Sequence, residues 1–190
     1  HRIGSRRARQ GLGVLAVTLA CIAAGVAATA VAPATAHTRH YQASVALDPD
    51  PTHLGQILAT TAFGDLKLGF AGAAPGIRTV PQVNASIADA LSRPQVSLAT
   101  LRPGPEELSA AIRDVAVDVL IRFAAGGLLL VGSVLAADAV LRRRRPPVTP
   151  VLACAAGWVL ATAATATSLY ATYQPERQET FTSTGILGTL

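Results

Sequence analysis

The side chains able to do chemistry are few and scattered. The chain has four histidines, His1, His37, His40 and His53, and two cysteines, Cys21 and Cys154. His37 and His40 sit three apart in AHTRHY, a spacing that could bring both to one metal ion. Placed just after a long apolar run, they read instead as a polar boundary outside a membrane. Gly64-Asp65 reads as a turn and not as a phosphate or metal site. No nucleophile motif, glycine-rich phosphate loop or CxxC pair occurs. The expectation is that these 190 residues contain no catalytic, cofactor-binding or metal-ligating residues and are not themselves an enzyme.

The elements that would position any such group are set by composition. With 51% hydrophobic, 14% charged and 4% aromatic residues, the chain has the balance of a membrane protein and not of a soluble domain. Three apolar windows are near or above the roughly 20 residues needed to cross a hydrocarbon core. They are 11–36 (GLGVLAVTLACIAAGVAATAVAPATA), 116–141 (AVDVLIRFAAGGLLLVGSVLAADAVL) and 148–173 (VTPVLACAAGWVLATAATATSLYATY). Each predicts a transmembrane helix. The 15 arginines against one lysine, in an alanine-rich chain, suggest a GC-rich bacterial coding sequence, in which the glycosylation pattern Asn84-Ala85-Ser86 carries little meaning. The chain begins at His1 and contains no methionine, so it reads as a piece of something longer.

Where the arginines sit predicts orientation. Arg2, Arg6, Arg7 and Arg9 precede the first window, and Arg142, Arg143, Arg144 and Arg145 stand between the second and third. These eight are half of all Lys and Arg, whereas residues 37–115 hold six basic residues against seven acidic ones. Short loops rich in arginine stay in the cytoplasm. Arg6, Arg7, Arg9 and Arg142 to Arg145 are therefore topology anchors. The predicted order is a cytoplasmic basic start (1–10), a first span, an extracytoplasmic module (37–115), a second span, a cytoplasmic arginine-rich turn (142–147), a third span, and an extracytoplasmic stub (174–190). The protein is expected in the plasma membrane as a multi-pass chain, with its N-terminus cytoplasmic and its C-terminus outside. Its net charge of +5 and pI near 10.0 match anionic inner-leaflet lipids of the bilayer as partners, and not nucleic acid.

Two alternatives accompany the first window. Its basic start and Ala34-Thr35-Ala36 resemble a cleavable signal peptide, but the apolar run exceeds the usual length of such a region, which favours retention. Cys21, in TLAC, approximates a lipoprotein attachment site poorly; it and Cys154 are expected as buried, unbridged cysteines. In the second window Asp118 and Arg122, and likewise Asp138 and Arg142, stand four apart near the interfaces, which predicts intrahelical ion pairs that snorkel, the alternative being an ion or proton path. Small residues at Ala153, Gly157, Ala161 and Thr165, and at Gly132 and Ala136, would permit close helix approach.

The outward module alternates apolar and polar residues at 41–47 (YQASVAL) and 63–70 (FGDLKLGF), which predicts strands. Residues 80–91 are expected to start as strand, and 96–101 (VSLATL) as another. Pro105 should open a helix that runs unbroken into the second span. The fold class is thus α+β, with three transmembrane helices and a small, mostly β module between the first two.

Most of the chain also resembles a known family. The arginine-rich start and first span, GDLKLGFAGAAPGI, LRPGPEELSAAIRDVAV before the second span, the basic turn, and YATYQPERQETFTSTGILGTL after the third are similar to the N-terminal region of actinobacterial membrane-anchored metallophosphoesterases. There an F-x-G-x-L type stretch, resembled by residues 181–190, leads into a calcineurin-like catalytic domain with D-x-H, G-D, G-N-H-[DE] and G-H-x-H motifs. The resemblance implies a downstream hydrolase domain as partner, holding two divalent metal ions. None of its motif sets is present here, so no catalytic residue carries over. On this reading the chain is the anchor and accessory module of a phosphoesterase. The alternative is a sensory or assembly protein whose outward module binds a ligand or partner.

Overall fold

The computed structural model describes residues 2–37, 41–61, 64–83, 105–142 and 148–184. Three helices carry the apolar windows: α1 (Arg2–Val31), α2 (Pro105–Arg142) and α3 (Val148–Thr172). Their apolar stretches, Gln10–Val31, Ser109–Leu141 and Val148–Thr172, are 22, 33 and 25 residues long. At 1.5 Å per residue even the shortest covers about 33 Å, enough to cross a bilayer. Leu19, Leu129 and Leu160 are more than half exposed on the outside of the bundle, an apolar surface suited to lipid and not to water. Pro105 opens α2 and Glu106 and Glu107 occupy its first turn, where the missing proline N–H costs nothing and carboxylates offset the helix dipole. As expected, α2 then runs unbroken.

The helices pack through small residues. A Cβ on Gly126 would lie 2.5 Å from the Ala28 Cβ, and one on Gly25 would lie 2.5 Å from the Phe123 ring, so α1 and α2 approach at these glycines. Gly157 of α3 faces Val17 of α1, and the Trp158 Nε1 donates to the Ala124 carbonyl at 2.8 Å. The buried stripe of α3 is Cys154, Gly157, Ala161, Thr165 and Thr172. The expected stripe is thus shifted at its start, with Cys154 buried and Ala153 only half-buried. The expected contact at Gly132 and Ala136 is corrected: both are exposed, and Gly126 and Gly127 carry the close approach instead. Cys21 and Cys154 are buried and unbridged in one apolar cluster with Val131 and Ala161.

Among the described residues, six strands build one sheet: β1 (Ala34–His37), β2 (Tyr41–Leu47), β3 (Gln56–Thr61), β4 (Gly64–Phe70), β5 (Ile77–Val83) and β6 (Gln178–Ser183). The spatial order is β1-β2-β5-β3-β4-β6; only the β3–β5 pair is parallel. Strands β2 and β4 fall where alternation places them, and β5 begins three residues before the expected start. Three strands differ from expectation. The first helix stops at Val31, and Ala34 to His37 form β1 instead of the end of a span. Residues 56–61 form β3, and 178–183 form β6 on the outer edge of β4, so this part of the expected stub belongs to the sheet. The expected strand at 96–101 lies outside the described residues.

One end of the bundle and one face of the sheet share a core. Val26 of α1, Ala34 of β1, Leu47 of β2, and Val119 and Phe123 of α2 form a single buried cluster. Thr29, fully buried, donates to the Val26 carbonyl and accepts the Leu47 N–H at 3.1 Å. Arg122 completes the junction. Its Nη1 donates to the carbonyls of Ala32, at 2.7 Å, and Pro33, and its Nη2 donates to Asp118 at 2.8 Å. An α-helix leaves its last carbonyls without partners, and Arg122 supplies donors where α1 gives way to β1. Replacing Arg122 with Leu should lower stability by about 1.5–3 kcal/mol, measured by thermal unfolding in detergent. Arg122→Lys should recover part of the loss, since it keeps a charged donor but not the fork.

Candidate functional site

Strand alternation gives the sheet two chemically different faces. Leu47, Ile77, Ile57 and Leu68 are in register across β2, β5, β3 and β4, as are Ala46, Arg78, Leu58 and Lys67 one residue along. The first row belongs to the face that meets the helices. The second belongs to the opposite face, where His53, Thr60, Asp65, Lys67 and Arg78 line a hollow of about 210 Å³.

On the helix side lies a cavity of about 560 Å³, within the roughly 300–1,000 Å³ range of small-molecule sites. Val45, Leu47 and Ile77 contribute from the sheet, Ile112, Val115, Ala116, Val119 and Leu120 from α2, Ala166, Leu169 and Tyr170 from α3, and Tyr173, Gln174 and Pro175 from the turn after it. The lining is almost wholly apolar, with Tyr170, Tyr173 and Gln174 supplying its polar atoms. Tyr173 fixes one wall. Its hydroxyl donates to the Pro75 carbonyl at 2.7 Å, with the Gln56 carbonyl 3.3 Å away, and its ring meets Phe70 edge-on at 5.3 Å. Burial pushes the Tyr173 phenol up to about 12, so it stays a neutral donor at any physiological pH.

The turn after Tyr173 is equally tied: the Ala71 N–H donates to the Arg177 carbonyl at 2.9 Å, and Thr184 exchanges hydrogen bonds with Asp65. The chain enters β3 through Gly55, whose φ of +68° suits glycine alone; a Cβ there would lie 2.6 Å from the Gly72 carbonyl oxygen.

The most concentrated polar group is Asp48, whose side chain is fully buried. Oδ1 accepts the Asp50 N–H at 3.0 Å, and Oδ2 accepts from Arg78 Nη2 at 3.0 Å. The His53 Nδ1 is also 3.0 Å from Oδ2; facing an acceptor-only carboxylate, that nitrogen donates. Burial alone would raise the Asp48 carboxyl, but the Asp50 N–H, His53 and Arg78 outweigh it and hold it below the ordinary carboxylate value. Asp50 is lowered as well, by the backbone N–H and hydroxyl of Thr52. The Asp48 N–H donates to Gly76 at 2.7 Å, so this cluster staples the β2–β3 connection to the start of β5. It has no nucleophile in reach of the imidazole among the hydrogen bonds formed.

The residues singled out in the sequence fall in several separate places. Asp118 and Arg122 come together beside the cavity wall. Asp138 lies in the last turns of α2, and Arg142 is the final residue of that helix. Arg6, Arg7 and Arg9 lie in the first turns of α1, while Arg143, Arg144 and Arg145 fall outside the described residues. His37 is exposed on β1, and His40 is outside the described residues. Among the described residues, no group of three or more His, Cys, Asp or Glu is placed to hold a metal ion. Sequence reading missed the cavity and the Asp48 cluster. The spacing of Asp48, Asp50 and His53 was visible, but the arginine that completes the cluster lies 30 residues on.

Comparison of the chain with protein-family models, with curated proteins and with solved structures gave no match in any of the three.

A carboxylate whose folded pKa is depressed stabilises the fold above its unfolded pKa of about 3.9, and that contribution is lost as pH falls through the folded value. The thermal unfolding temperature should therefore fall as pH drops below about 4. Asp48→Asn should lower stability at pH 7 by about 1.5–3 kcal/mol and make the melting temperature less dependent on acid; equal acid dependence in both proteins would exclude Asp48 as a source.

Proposed function

We propose that the chain is the membrane anchor and extracytoplasmic accessory module of a metallophosphoesterase, non-catalytic itself, with hydrolysis performed by a domain that follows residue 190. The observation that carries this reading is a convergence. Three of the stretches that carry the resemblance to that family, beside the arginine-rich start, the spans and the basic turn, are 64–77, 101–117 and 170–190, far apart in sequence. Among the described residues they meet at the junction: β4 pairs with β6, Phe70 packs on Tyr173, and the first turns of α2 line the cavity with the end of α3. Stretches that define one joint of a fold are those a family would share as a unit.

The mechanics suit an anchor. After α3 the chain adds β6 to the sheet instead of leaving it, and the sheet shares its core with α1 and α2. A domain that follows would then start from a strand fixed to the sheet. The arginine clusters favour placing the sheet outside the cell and both Arg-rich segments inside. The two divalent ions of the family's chemistry belong to the downstream domain, where Asp, His and Asn side chains would hold them and activate a water. The cavity favours a second reading, a sensory or assembly module that binds an apolar ligand.

The purified 190-residue chain should show no phosphomonoesterase or phosphodiesterase activity with manganese, iron or zinc, assayed on generic aryl phosphates. A longer chain from the same gene should contain D-x-H and G-N-H motifs and turn over. Metal-dependent turnover by the 190 residues alone, surviving repurification, would overturn the proposal; a downstream region without those motifs would leave the sensory reading in its place.

A further inference from the structure

We infer that the cavity at the junction holds the acyl chain of a bilayer lipid, entering between α2 and α3. The inference rests on the membrane-anchor reading above and adds an occupant to it. Its first support is chemical. Leu47 and Ile77 from the sheet, Val119 and Leu120 from α2, and Ala166 and Leu169 from α3 leave about 560 Å³ with almost no polar lining. Among the described residues, no Lys, Arg, Asp, Glu or His lines the space, so a charged or strongly polar ligand would lose its hydration without gaining a partner from them.

Its second support is position. The end of α1 at Val31, together with Arg122 and Asp118, marks one level along the bundle. The cavity straddles that level: Val119 and Leu120 lie beside it, whereas Ile112 to Ala116 extend past the end of α1 toward the sheet. A tyrosine exposed by 80%, Tyr170, stands on the same rim, the position interfacial aromatic residues take in membrane proteins. Beyond that level, away from the sheet, Leu128 and Leu129 of α2 and Val159 and Leu160 of α3 are exposed and apolar. Hydrocarbon is then the phase at the lower mouth.

The driving force comes from this placement. Moving a chain from lipid to a lipid-like pocket gains nothing in its buried part, since lipid tails are as apolar as leucine. The gain comes from the upper part, where the sheet-facing wall would otherwise hold water against apolar side chains. A lipid tail that rises past the end of α1 covers that surface while its headgroup stays near Tyr170 and Gln174. Because no cation among the described residues lines the space, the site selects the chain and not the headgroup.

The test uses the full chain in vesicles of phosphatidylglycerol and phosphatidylethanolamine, doped with a phosphatidylcholine carrying a diazirine on one acyl chain. After illumination, trypsin separates two adjoining α2 peptides, Asp114 to Arg122 on the cavity and Phe123 to Arg142 on the outer apolar face. Labelling of the first should saturate at low probe fraction, and labelling of the second should rise in proportion to it. Ala166→Phe, which fills the space from α3, should reduce the first about tenfold and leave the second unchanged. If that variant does not fold, the saturation curve of the native chain still decides. Linear labelling of both peptides overturns the inference, as does a label on Asp114 to Arg122 that ignores Ala166→Phe in a folded protein. Absence of label from both peptides would remove the membrane-anchor reading along with it.

Discussion

The structure depends on how α1 ends. A helix that leaves a bilayer has carbonyls with no partners, and an unsatisfied group in hydrocarbon costs several kcal/mol. Only Ala32 and Pro33 separate α1 from β1, too short a link to turn the chain away into water and back. Arg122 answers both residues' carbonyls from α2, and Asp118 one turn earlier balances its charge. With the exit fixed, β1 begins directly on top of α2, Ala34 enters the core, and β2 is drawn down until its Leu47 N–H meets Thr29. Sheet and bundle therefore form one body from their first contact, and the cavity is the gap left where α3 does not close against α2 beneath the sheet.

The small-residue packing serves that same joint. Gly25 accepts the Phe123 ring, and Gly126 lets α2 lie against Ala24 and Ala28. These contacts fall within one turn or so of Arg122, so the close approach of the helices and the cap on α1 are cooperative features of one interface. The third helix is held at its far end by Tyr173, which reaches the backbone of Pro75 while Phe70 covers its ring. The chain leaving α3 is thereby aimed along β4, and β6 forms because β4 offers an open edge there.

Much of the helical half of this arrangement was legible. Length and apolarity define the three helices, and Pro105 with Glu106 and Glu107 marks the start of the second. The spacing of Asp118 and Arg122 reveals their pairing. It does not reveal that Arg122 has a second task, because a helix cap supplied from another helix leaves no local pattern. Strands β2 and β4 alternate clearly. The others do not: β1 is four residues long at the tail of an apolar run, and ATAH differs little from the helix before it. Strand β6, QETFTS, is largely exposed, so it shows no buried face to read. The cavity is less visible still, since its walls come from residues more than a hundred positions apart and each wall alone looks like ordinary helix or strand. Gly132 and Ala136 show the reverse error: small residues at the right spacing that are exposed instead of packed.

The central claim is that strands from both sides of the α2–α3 pair occupy one side of the bilayer, opposite the arginine clusters. Cysteine accessibility measures this directly. In a chain with Cys21 and Cys154 replaced by alanine, single cysteines are placed at Thr60 on β3, at Glu179 on β6 and at Arg144, and intact cells are treated with a membrane-impermeant maleimide. The account predicts that Thr60→Cys and Glu179→Cys react in intact cells and that Arg144→Cys reacts only after lysis. Labelling of Thr60→Cys and Glu179→Cys from opposite sides of the membrane would contradict it, because no such chain could close the sheet.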